Sequence, residues 1–179
     1  DREKSVLTAQ TGEEMAAGFI LLVFLIFFGD LWIKERVERE ISVGEERKLL
    51  KGRILLRRHH NKGAVLNLGQ RRRAFVAALS LALTVLTAAL FVISLGHRGN
   101  HLLRAGLALL LGGAFSNTYD RLKRKYVVDY LSFNVPWKGL RRIVFNISDF
   151  CILIGALLSV LGAGCGILQL ANKKSRLNC

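Results

Sequence analysis

Three carboxylates stand out because so few remain. Beyond Glu46 the only acids are Asp120, Asp129 and Asp149, against 22 Lys and Arg over the same stretch. Each lies at or near the end of an apolar run. An ionisable side chain at membrane depth costs about 2.5–3.5 kcal/mol to insert, so such a group is a functional candidate by default. Asp120 follows Asn117 by three residues in "NTYD", and Asp149 follows Asn146 by three in "FNISD". At that spacing on a helix the two side chains share a face. Each asparagine is therefore placed to orient its carboxylate or to hold a substrate backbone. Two close carboxylates cannot both ionise cheaply and so share one proton. One then takes a proton from water while the other, protonated, polarises a carbonyl. This is peptide hydrolysis by an aspartate dyad, expected at Asp120 and Asp149 and needing neither metal nor cofactor. The bland alternative makes both acids salt-bridge partners of Arg121, Arg141 or Arg142.

The elements that would position these acids are apolar. Of the 179 residues, 51% are hydrophobic and 22% charged, and the charges are clustered. A bilayer core needs roughly 20 apolar residues as helix, with every backbone group paired internally. Four spans are expected, at 15–33, 74–95, 102–119 and 145–170, which makes the fold an all-α membrane protein. The first run lacks a small-residue cleavage site and is followed at once by Asp30 and Lys34, so it reads as a retained helix. Antiparallel third and fourth helices would bring Asp120 and Asp149 to one side of the membrane.

Between spans one and two, residues 34–73 form a long polar connection. Its middle, "RILLRRHHNKGAVLNLG", reads as short strands or a hairpin, giving a small extramembrane β-like platform. Residues 120–144 are the second large connection and hold the only proline, Pro136, beside Trp137, an interfacial anchor type. Residues 1–14 read as a polar leader added upstream of a start at Met15. A four-helix transmembrane domain follows over 15–171, then a basic tail over 172–179.

The net charge of +14 would suggest nucleic acid in a soluble protein. Here the basic residues flank apolar runs and no nucleic-acid motif is present, so anionic membrane lipids are the expected partner. Cys151, Cys165 and Cys179 have no metal or disulfide spacing, and adjacent His59 and His60 are poorly placed as two ligands on one face. Neither a metal site nor a cofactor is expected.

Five ordered motifs resemble those of the bacterial lipoprotein signal peptidases, the signal peptidase II family. They are Asp30 and Lys34 in "GDLWIK", then Asn61, Gly63 and Ala64 in "NKGAVLN", then "GGAFSNTYDR", "YVVDY" and "VFNISD". The resemblance runs from the first span to the fourth. It implies a multi-pass aspartic endopeptidase of the bacterial inner membrane that cleaves prolipoproteins before a diacylglyceryl-modified cysteine. By motif position the resemblance assigns the dyad to Asp120 and Asp149. Asn61, Gly63, Asn117, Arg121, Asp129, Asn146, Asp30 and Lys34 would form the substrate-binding and supporting shell. It also implies inhibition by the cyclic peptide globomycin, and the chain is expected to act as a monomer. The sequence departs from the family pattern at Ser116 (usually glycine), Lys125 (commonly glycine), Ser148 (commonly alanine), and at Leu31, Val65 and Leu66.

Two signals disagree about orientation. With four spans, the side holding both termini and the 96–104 turn carries seven of the 27 Lys and Arg, and the side holding the acids carries the other 20. The positive-inside rule would put the acids in the cytoplasm, whereas the resemblance puts them near the outer face. Two competing readings remain: a non-cleaving relative that binds lipidated peptides or other membrane proteins, and a transporter using its acids as a proton relay.

Overall fold

The computed structural model describes residues 2–63, 72–96 and 100–177, with side chains described for 12–63, 72–96 and 100–166. Helix α1 spans Arg2–Glu40, followed by strand β1 at Glu46–Leu49 and strand β2 at Ile54–Asn61. Helices α2, Arg73–Gly96, and α3, His101–Lys123, come next. Strand β3 is Val127–Phe133, the short helix α4 is Lys138–Arg142, and helix α5 is Ile147–Leu177.

Three helices are long and apolar enough to cross a membrane among the described residues: Gly12–Glu40, Arg73–Gly96 and Ile147–Gly166. Their outer faces present large apolar side chains such as Phe24, Phe28, Val85, Val92 and Val160. Helix α3, the expected third span, has comparable length at 23 residues. It is more polar because it lies innermost, packed against α1, α2 and α5. Its buried positions include Arg104, Ser116, Asn117, Thr118 and Asp120.

The α3–α5 crossing is built from glycines. A Cβ on Gly155 would sit 2.4 Å from Leu110 N, and one on Gly106 would sit 2.5 Å from Ser159 N. Further along, a Cβ on Gly162 would sit 2.5 Å from Leu103 N. Only hydrogen fits there, so the two backbones touch, as small residues permit in membrane helix pairs.

The expected platform is present as a hairpin and gains a third strand. The sheet order is β1-β2-β3, antiparallel throughout. The added strand comes from the 120–144 connection, for which no element is expected. Its "VVDYLSF" has the β-branched and aromatic composition that strands favour. One face of β3 carries Val128 and Tyr130 onto Val37 of α1 and Ile41 just after it. The end of α1 is helical to Glu40, beyond residue 34, where the connection is expected to begin. The backbone is also helical through the expected leader from Arg2 and into the expected tail as far as Leu177.

Candidate active site

A β-bulge decides which residues face one another. Leu56 pairs with Leu131 and His59 with Asp129, so β2 has one extra residue between those pairs. Past the bulge Asn61 pairs with Val127. Side chains alternate faces along a strand, so Val127, Asp129 and Asn61 share one face of the sheet. Without the extra residue His60 would take that place. Asn61 Nδ2 reaches diagonally to donate to Asp129 Oδ2 at 3.0 Å.

The start of α5 is stapled to β3. Leu131 N donates to Phe145 O and Phe145 N donates to Leu131 O, each at 2.7 Å. Asn146 then caps the helix. Its Oδ1 accepts from Asp149 N at 2.9 Å, and Asp149 Oδ2 accepts from Asn146 N at 3.0 Å. This reciprocal capping box gives "NISD" a local meaning. Asn146 stands just before the helix, where a pair on one helix face was expected.

The amide of Asn146 links the two acids. Its Nδ2 donates to Asp129 Oδ1 at 2.7 Å, while its backbone N–H holds Asp149. Asn117 Nδ2 donates to the other oxygen of Asp149 at 2.9 Å. Asn117 Oδ1 accepts from Lys34 Nζ at 2.9 Å and from Asn146 Nδ2 at 3.2 Å. Its oxygen is thereby engaged and its NH2 is left to point at Asp149. Burial, followed by the neighbouring Asp149 charge, pushes Asp129 from its ordinary 3.8 up to about 7. A protonated carboxyl beside a second carboxylate is the pairing that shared-proton chemistry needs.

Asp120 lies elsewhere. It is fully buried and accepts from Val128 N at 3.2 Å. Lys34 Nζ lies 3.1 Å from its Oδ2, and Arg124 Nε lies 3.4 Å from Oδ1. Lys34 also pairs with Asp30 at 2.8 Å, and both side chains are fully buried. Asp30 is further held by Tyr130 Oη at 2.7 Å, by Ser116 Oγ at 2.6 Å and by the Ser148 hydroxyl. Asp30, Lys34 and Asp120 thus form a closed polar layer joining α1, α3 and β3. The fold pairs Asp149 with Asp129, from "YVVDY", where Asp120 was expected. Asn117 and Asp120 do share a helix face, but Asn117 serves Asp149.

A cavity of about 530 Å³ opens onto the Asp129–Asp149 pair. Asn61, Asn117, Arg121, Asp129 and Asp149 form its polar end, and neither Asp30, Lys34 nor Asp120 lines it. The remaining wall is largely apolar, with Leu83, Leu110, Leu153 and Ala156 among its residues. It lies where α2 and α5 scarcely meet, with α3 as the floor. Arg121 Nη1 donates to Asn117 O at 3.2 Å and Nη2 to Gly63 O at 3.4 Å, and Gly63 N donates to Asn61 Oδ1 at 3.1 Å. Gly63 and Arg121 therefore brace the two amides that serve the acids. Ser116 and Ser148 turn away from this cavity toward Asp30. Ala64, Val65 and Leu66 lie outside the described residues.

A family model described as signal peptidase (SPase) II matches residues 22–163. The chain is 31% identical over 172 residues to the lipoprotein signal peptidase of Alteromonas mediterranea, covering 92% of this chain and 88% of that one. It is 34% identical to the lipoprotein signal peptidase of Ralstonia nicotianae, covering 74% of this chain and 79% of that one. Its fold resembles a bacterial membrane enzyme solved by the in meso method at 2.3 Å resolution. That superposition has a TM-score of 0.71 at 21% identity and covers 88% of this chain and 92% of that one. With its acids, amides and apolar cavity in this arrangement, the chain belongs to the signal peptidase II family.

Proposed function

We propose that this signal peptidase II removes signal peptides from prolipoproteins by aspartic chemistry, with Asp129 and Asp149 as the dyad. The observation that carries this reading is their joint suspension from Asn146 at the polar end of an apolar cavity. One carboxylate takes a proton from the attacking water, and the protonated partner donates to the scissile carbonyl. The amides of Asn61 and Asn117 hold the acids in place. Asp120 keeps a supporting part, through Lys34 and the polar layer. The apolar wall suits the signal helix and acyl chains of a precursor carrying a diacylglyceryl-modified cysteine.

In this reading all four long helices span a bacterial inner membrane, with α3 shielded by the other three. The sheet platform lies at the outer face, the protein acts as a monomer, and globomycin occupies the cavity. Cleavage of a lipid-modified precursor tests the chemistry. Asp129→Asn and Asp149→Asn are each expected to abolish product while the protein still binds precursor. Turnover in either variant, or binding without product by the unaltered protein, would refute the dyad. A tag in the 41–53 hairpin region is expected to be reachable from outside the cell, and a cytoplasmic tag would overturn the orientation.

A further inference from the structure

A second cavity, of about 390 Å³, shares Asn61 and Arg121 with the first, and neither Asp129 nor Asp149 lines it. Its charged lining consists of Lys62, Arg73, Arg121 and Lys125, with no acid among the described lining residues. Ala74, Val76, Ala77 and Leu122 form an apolar wall. Arg73 is the first residue of the apolar span Arg73–Gly96, so the cations stand at the membrane boundary and the apolar wall runs from it along the helix.

Lys125 follows the last turn of α3. Its backbone lies at φ 67°, in the left-handed region that favours glycine, and its N–H donates to Asp120 O at 3.1 Å as the helix ends. One proton of its ammonium caps Leu122 O at 2.8 Å, and two donors remain.

Cations above an apolar wall at interfacial depth match a phosphate group carried on acyl chains. We propose that this cavity binds the phosphate of an anionic lipid headgroup, with Arg73 and Lys125 as its principal cations and the lipid chains along the start of α2. The site is separate from the Asp129–Asp149 pair. It seats a structural lipid at the mouth of the enzyme, against the same Arg121 that braces the amides serving that pair.

The test is lipid retention by the purified full chain in neutral detergent, read by native mass spectrometry. The probes are phosphatidylglycerol and phosphatidylcholine of identical chains, supplied together. Preferential retention of phosphatidylglycerol is expected, falling roughly fivefold for each charge removed in Arg73→Gln/Lys125→Gln. Lys125→Gly removes one charge and also the backbone strain. Its lipid preference should fall by roughly fivefold while its unfolding temperature is at least that of the unaltered protein. Equal retention of the two lipids, or an unchanged preference in the double variant, would overturn the site. Displacement of phosphatidylglycerol by millimolar inorganic phosphate would assign the cavity to a soluble phosphate compound and overturn the lipid.

Discussion

Replacing Asp129 by asparagine separates stability from chemistry in opposite directions. The carboxyl ionises near 7 in the fold against 3.8 ordinarily. Between those values the folded state keeps a proton that the unfolded chain has lost, so stability falls as pH rises from 3.8 to 7. The gap of about three pH units corresponds to roughly 4 kcal/mol at pH 8. The amide that Asp129→Asn introduces does not ionise and escapes this cost. It presents a single carbonyl oxygen to two donors, Asn61 Nδ2 and Asn146 Nδ2. Losing one of those bonds costs about 1–3 kcal/mol. Near pH 5 the two effects roughly cancel. Between about pH 5 and pH 8 the variant should gain about 2–3 kcal/mol on the unaltered protein, or ~5–10 °C in Tm for a chain of this size. Cleavage should meanwhile fall by at least ~10³, the scale of a lost acid–base group. Thermal unfolding in detergent at the two pH values, with a precursor assay on the same samples, reads both. The reasoning fails if the variant loses ground as the pH is raised across that interval, or if its cleavage stays within about tenfold of normal.

The remaining predictions concern the layer beneath the dyad and the helix crossing. Lys34→Met leaves Asp30 and Asp120 buried without their shared cation, so a loss of about 3–5 kcal/mol is expected on thermal unfolding; an unchanged melting temperature would contradict the closed layer. Ser116→Gly removes hydroxyl contacts to Asp30 and Lys34 but nothing from the cavity wall. It should lower stability by about 1–3 kcal/mol while leaving the KM for precursor unchanged, and a shifted KM would place Ser116 in the substrate path. Gly155→Ala drives a Cβ into the backbone at Leu110 and Gly106. It should cost about 1–3 kcal/mol or more, and normal thermal stability would show that the two helices separate easily.

What the sequence determined by itself is what composition and short-range spacing carry. Long charge-free runs require helices in lipid, and the scarcity of acids after Glu46 marked the three aspartates that matter. Strand β2 in the 34–73 connection was legible from its short apolar pairs, whereas its hairpin partner β1, at Glu46–Leu49, lies upstream of the stretch where strands were expected. The capping box at Asn146 and Asp149 is equally local, but the Asn-x-x-Asp spacing was read as a pair on one helix face and not as a cap. Which aspartate stands opposite Asp149 was not local. Asp120 and Asp129 lie nine positions apart, and both are buried. The choice rests on β3 pairing with β2, on the extra β2 residue that turns Asn61 toward Asp129, and on the Leu131–Phe145 staple that brings α5 alongside. Lys34 reaches from α1 to claim Asp120 for the polar layer. Each of these is a contact between segments far apart in the chain. Strand register and helix approach are set by how whole faces pack. The tertiary structure therefore decided which two of three equivalent-looking acids meet at the cavity and which one holds the polar layer together.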